Sequence, residues 1–307
     1  MKNIRWAMLL VVFLTACSSS STSTSPPPAL NFNKLYVTQF QSSGAQLLIY
    51  TPPFSNASAP AVTVSGYTPG FPGGVTFNNA GTTFIINQDV DGTGVSNITA
   101  FGHPIGAAST PKFTIPLPGT GNAYNAVDTH GNLWFSDRLN DTLSVITAPI
   151  SAASVPAFTL STGTDDPAQI AFDAAGDMAV ACQASSNVLF YTAPITSGST
   201  PAAVIPLSQN GQGVAFDAAG NMYASLFGSS GIAQFVPPFS NTSTPQFVIP
   251  TGGFPENLVF DKHGNLWDSD GTPEVQEFTP PFSGSSTAAV TITSGLTNEE
   301  TAIGFGP

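Results

Sequence analysis

Three markers that repeat in step along the chain predict an all-β protein. They imply a six-bladed β-propeller, four antiparallel strands per blade, closed into a ring by the C-terminal strand. The first marker is the line Gln-Ile-Ala-Phe-Asp-Ala-Ala-Gly at 169–176, Gly-Val-Ala-Phe-Asp-Ala-Ala-Gly at 213–220 and Asn-Leu-Val-Phe-Asp-Lys-His-Gly at 257–264. Weaker copies end at Gly81 and Gly131, so successive glycines lie 50, 45, 44 and 44 residues apart. The second marker is Pro53, Pro104, Pro149, Pro194, Pro238 and Pro281, spaced by 51, 45, 45, 44 and 43 residues. The third is Pro60, Pro111, Pro156, Pro201 and Pro245, each seven residues further on, with Ala288 in the sixth copy.

Each unit holds four short β-branched or aromatic runs bounded by Gly, Pro, Asn or Ser. In the fifth these are Gly213–Phe216, Met222–Leu226, Ile232–Val236 and Gln246–Ile249. The Asp-x-x-Gly element is the first hairpin, with Gly in the left-handed position and the Asp side chain accepting from turn amides. Asp128, Asp173, Asp217 and Asp261 are therefore structural. The outermost run ends in prolines, which remove donors from an exposed edge. The chain enters at Asn33-Lys-Leu-Tyr-Val-Thr, which aligns with a second strand, and leaves at Thr301-Ala-Ile-Gly-Phe-Gly, which aligns with a first strand. One blade is thus shared between the two ends, and the count closes at six.

Composition excludes several functions. Charged residues make up 8% of 307 residues, with six Lys or Arg against 18 Asp or Glu and a net charge of −12. Six cations cannot neutralise a phosphate backbone, so no nucleic-acid partner is expected. With 29 Gly and 27 Pro, helical bundles are excluded as well.

The N-terminus reads as an address. Lys2 and Arg5 precede the nine-residue apolar run Trp6 to Leu14, too short to span a bilayer and suited to a signal peptide. The following Leu14-Thr15-Ala16-Cys17 resembles the bacterial lipobox. That resemblance implies a lipoprotein signal peptide over 1–16, cleavage before Cys17 and lipidation of its sulfur. Multiple acyl chains would then hold the protein on a membrane through its lipid anchor. The location implied is the cell envelope, extracytoplasmic, with Ser18 directing it to the outer membrane if the organism has two membranes. Residues 17–31, rich in Ser, Thr and Pro, form a tether, and 32–307 the propeller. Cleavage leaves four cations, Lys34, Lys112, Arg138 and Lys262. Cys182, in the apolar run Ala-Val-Ala-Cys, reads as a buried structural thiol.

Ile-Ala-Phe-Asp-Ala-Ala-Gly-Asn-Met-Tyr and Asp-Lys-His-Gly-Asn-Leu-Trp resemble the NHL-repeat propellers and the related gluconolactonase-like and virginiamycin B lyase-like propellers over about residues 33 to 306. The resemblance specifies a fold, and the group includes both enzymes and binding modules. In the gluconolactonase-like group the residue five before the hairpin Asp supplies metal-binding acids and amides. Here those positions are Gly73, Ala123, Ala168, Gln212, Glu256 and Thr301, one carboxylate and one amide. The lyase pattern implies channel histidines, whereas His130 and His263 fall in first-hairpin turns and His103 in a turn after a third strand.

Asp89, Asp91, Asp137, Asp141, Asp165, Asp166, Asp268, Asp270, Glu299 and Glu300 fall in loops on the channel-mouth face and read as a solvated acidic rim. The candidate ligand or cation-binding residues are Glu256, Gln212, Asp166, Asp137 and Asp268. Glu256 is expected to be wet and non-catalytic at the channel mouth; the alternative is a calcium or magnesium ion held with Gln212 and Asp166. Two functions follow: a binding or interaction module for an unknown protein or small-molecule ligand, or a divalent-metal lactonase or lyase.

Overall fold

The computed structural model describes residues 30–41, 44–68, 70–88, 96–119, 121–163, 165–229, 231–297 and 302–307. Cys17, the signal peptide and nearly all of the tether lie outside these residues, as do Asp89, Asp91, Glu299, Glu300 and Thr301.

Blade one contains β1 (Lys34–Gln41), β2 (Gly44–Tyr50) and β3 (Val62–Ser65). Blade two is β4 (Phe71–Phe77), β5 (Thr83–Gln88), β6 (Asn97–Phe101) and β7 (Phe113–Pro116). Blade three is β8 (Asn122–Val127), β9 (Leu133–Asp137), β10 (Thr142–Ile146) and β11 (Phe158–Ser161). Blade four is β12 (Pro167–Phe172), β13 (Met178–Cys182), β14 (Asn187–Tyr191) and β15 (Ala203–Pro206). Blade five is β16 (Val214–Phe216), β17 (Met222–Leu226), β18 (Gly231–Phe235) and β19 (Phe247–Pro250). Blade six is β20 (Pro255–Phe260), β21 (Leu266–Asp270), β22 (Val275–Phe278) and β23 (Val290–Ile292). The last strand, β24 (Ala302–Gly306), returns to blade one.

The described residues form six four-stranded antiparallel sheets, and in blade one the order is β24-β1-β2-β3. β24 pairs Lys34 with Gly306 through Thr38 with Ala302, so the ring closes as the repeat alignment requires. The six marker prolines, Pro53, Pro104, Pro149, Pro194, Pro238 and Pro281, each follow a cis peptide bond.

The hairpin Asp is an acceptor in every full copy. In blade six Asp261 Oδ1 accepts from the amides of His263 and Asn265 at 2.8 and 2.9 Å, and Oδ2 accepts from the Asn265 side chain at 2.9 Å and Trp267 Nε1 at 3.3 Å. Gly264 completes the turn at φ 81°, a conformation that costs other residues strain.

In blades three, five and six an aromatic at the start of the second strand joins one blade to the next. Trp134 packs against Phe172 of blade four, Tyr223 against Phe260 and Phe282 of blade six, and Trp267 against Phe305 and Phe54 of blade one. Burying such side chains contributes about 1.5–3 kcal/mol each, and most of it is lost if neighbouring blades separate. Cys182 is buried in the blade three–four layer, and burial pushes its thiol far above its ordinary range, as suits a structural residue.

Candidate functional site

The inner strands run along the central channel, and their free edges are tied together by side chains. Gln169 of blade four reaches furthest. Its Oε1 accepts from the amides of Val214 (3.0 Å) and Leu258 (2.9 Å), and its Nε2 donates to the Leu258 carbonyl at 2.7 Å. It thereby links β12, β16 and β20. Glycine lets the inner strands approach: a Cβ at Gly73 would overlap the carbonyl oxygen of Ala123.

Two cavities lie along the channel and share no lining residue. The lower, of about 460 Å³, is framed by the inner-strand ends at Phe77, Val127, Phe172, Phe216, Phe260 and Phe305. The upper, of about 260 Å³, is the channel mouth. Its wall combines Phe71, Tyr124 and Phe227 with the amides of Gln88, Gln183 and Gln212. Arg138 and Glu256 complete it. The Tyr124 hydroxyl lies 3.5 Å from Gln212 Oε1. Arg138 is held by a two-pronged pair with Asp166, Nε to Oδ1 at 2.8 Å and a terminal nitrogen to Oδ2 at 3.3 Å, and it also bonds Gln183. A guanidinium fixed this way is a rigid wall element.

Of the five candidates, Gln212 and Glu256 line the channel mouth, and Asp166 touches it through Arg138. Asp137 does not line it; its two oxygens accept from the amide and side chain of Asn140 at 3.1 and 2.8 Å, closing the β9–β10 turn. Asp268 does not line it either.

Two expectations are corrected. Glu256 is not wet: only 5% of its surface is exposed, because it sits inside the strand start and not on the loop before it. The acids are not all a solvated rim. Asp137, Asp268 and Asp270 are buried, since they lie within second strands whose residues are covered on both faces. Asp270 Oδ1 accepts from the amides of Phe254 and Thr272 at 2.9 and 3.0 Å. Asp268 is 0% exposed, and neither of its oxygens has a well-formed hydrogen bond, the Glu256 amide only partly offsetting its burial. Desolvation, then the charges of Asp270 and Glu256, push its carboxyl well above the usual range. His130 and His263 sit exposed in the lower-face turns as expected, and His103, half-buried there, is held below its ordinary pKa by burial and by Lys34.

Repeat phase alone made Gln212 and Glu256 visible. Arg138 and Gln183 were missed because they follow second strands, where copies diverge; both stand immediately past the strand end, in register with each other.

No family model and no characterised protein sequence matches the chain. Solved structures do. The periplasmic gluconolactonase of Pseudomonas aeruginosa matches at 16% identity with TM-score 0.60, covering 84% of this chain and 82% of that one. Virginiamycin B lyase of Staphylococcus aureus matches at 12% identity with TM-score 0.57, covering 85% and 86%. This is their fold. A protein of unknown function from Bacteroides caccae is similar at 12% identity and TM-score 0.62, covering 88% of this chain and 99% of that one. At such identities the likeness carries the propeller fold, while the count of six blades rests on this chain's own sheets and the chemistry on its residues.

The residues do not fit a divalent metal of the gluconolactonase-like kind. Among the described residues no three His, Cys, Asp or Glu side chains converge, and Glu256 is the single carboxylate on the channel-mouth wall.

Proposed function

We propose that this propeller is an extracytoplasmic binding module, held at a membrane through Cys17, whose channel mouth takes a small neutral ligand rich in hydroxyl or amide groups. The observation that carries this reading is the wall itself: three glutamine amides beside three aromatic rings, with the arginine already paired. Primary amides both donate and accept, and aromatic rings cover the apolar face of a polyhydroxy ligand. Arg138 is matched to Asp166 and the remaining charge-bearing group on the wall is the acid Glu256, so nothing there selects an anion.

The test is a thermal-shift and calorimetric screen of neutral sugars and short amides on the full chain, repeated with Phe227→Ala and Gln212→Ala. Binding lost in both variants supports the reading. Calcium or magnesium stabilising the wild type but not Glu256→Gln would replace it with a metal-dependent lactonase or lyase. For the anchor, Cys17→Ser should move the protein from the membrane to the soluble fraction. An unacylated, soluble wild type would end that part of the proposal.

A further inference from the structure

Away from the channel, a further cavity of about 290 Å³ opens on the lower face between blades six and one. Its walls are Pro52, Pro53, Phe54 and Phe305 of blade one, and its polar end is Asp261 and Glu277 of blade six. Glu277 is 9% exposed and stands opposite Trp267 on β22. In the other five blades the same register holds Ile49, Ala100, Val145, Phe190 and Gln234. A carboxylate there replaces a neutral core residue once in six.

Its partners do not account for it. Asn265 Nδ2 bonds Glu277 Oε1 at 2.8 Å and Asp261 Oδ2 at 2.9 Å, and Oε2 has no bond to any described residue. Among the described residues the one ion pair is Arg138 with Asp166, which lies at the channel mouth. Lys262 edges the cavity, but its ammonium bonds Asn31 Oδ1 at 2.8 Å. Two carboxylates therefore share an aromatic-walled cleft, and the one ammonium at its edge, Lys262, is turned to Asn31 and bonds neither of them. Desolvation first, and then the charge of Asp261, raise the Glu277 carboxyl above its ordinary range, a cost that a bound cation would remove.

The molecule contains its own control. The cleft between blades three and four has the same plan, Asp128, Asn132, Trp134, Phe172 and Ile195, with Val145 in place of Glu277, and a volume of about 150 Å³.

We propose that the cleft between blades six and one binds a primary ammonium group on a short apolar stem, its N–H groups on Glu277 beside the charge of Asp261 and its stem against Phe54 and Phe305. The class follows from the walls. A bare metal ion would need more oxygens than two carboxylates and an amide provide, whereas an alkylammonium has three donors for the acids and a stem for the rings. A soluble amine and the ethanolamine headgroup of a lipid carry the same group.

The experiment uses the purified full chain. n-Butylammonium is titrated calorimetrically against wild type, Glu277→Gln and Lys262→Ala, with tetramethylammonium as a cation lacking N–H. Vesicles with ethanolamine or choline headgroups are tested in parallel. Binding of butylammonium, at least about tenfold weaker in Glu277→Gln and for tetramethylammonium, supports a soluble amine. Selective binding of ethanolamine vesicles alone supports a lipid. If Glu277→Gln does not fold, the titration of the Glu277 carboxyl is followed by NMR in the wild type, where the amine should lower its pKa. No binding of either probe, equal binding by Glu277→Gln, or an unmoved Glu277 titration would overturn the proposal.

Discussion

Blades five and six share one backbone plan and differ in charge at four matched positions. Where blade five has Gln212, Ala224, Leu226 and Gln234, blade six has Glu256, Asp268, Asp270 and Glu277. In blade five Gln234 Nε2 donates to the Tyr223 hydroxyl at 2.6 Å, and its Oε1, though unpaired, is neutral. In blade six Asp268 has no well-formed hydrogen bond and Glu277 has one N–H. The fold therefore does not require these acids, since the neighbouring blade builds the same sheet without them. Residues that a fold does not require and that cost burial energy are where binding roles are sought.

The largest expected effect comes from moving the acid into the neutral blade. Ala224→Asp places a carboxylate in the packed blade four–five layer, with Val188 and Phe235 in its cluster. It should destabilise by roughly 3 kcal/mol or more. Denaturant unfolding checks this, and a loss under 1 kcal/mol would mean that the backbone tolerates acids anywhere at this register.

The reverse change is smaller. Asp268→Val restores the residue type of Val37 and Val180 and removes two orphaned oxygens, so it should stabilise by roughly 1–3 kcal/mol near neutral pH. A loss of stability instead would show that Asp268 supports its surroundings.

The pH dependence follows from the same carboxyl. Its folded-state pKa lies above the unfolded value of 3.8, so the native state binds the extra proton between the two. Stability falls as pH rises from about 4 through the raised folded value, and Glu277 acts in the same direction. Melting curves between pH 4 and 8 should show this decline in the wild type and a shallower one in Asp268→Val.

The smallest effect is Glu277→Gln, which copies Gln234 of blade five. With Asn265 still available as a donor, stability should change by about 1 kcal/mol or less without amine. A much larger loss would make Glu277 structural.

The backbone was nearly all legible in the sequence, because each blade repeats the same turn chemistry. The runs read in unit five, Met222–Leu226 among them, match the observed strands to within a residue. The site was legible only where the repeat fixes phase, as at Glu256 and Gln212. Asp137 and Asp268 were read as loop acids because second strands, buried on both faces, show no two-residue alternation to mark where they end. Glu277 escaped notice because third strands have no invariant residue, and only the strand registers reveal that its position is neutral elsewhere.

The closing strand has a consequence for the order of events. Blade one receives its innermost strand from Ala302–Gly306, more than 250 residues after β1. During synthesis, blades two to six can each assemble from contiguous chain, while β1 waits with an unpaired edge until the far segment arrives. The ring is therefore the last thing to form, and a halt late in elongation would leave an adhesive sheet edge exposed.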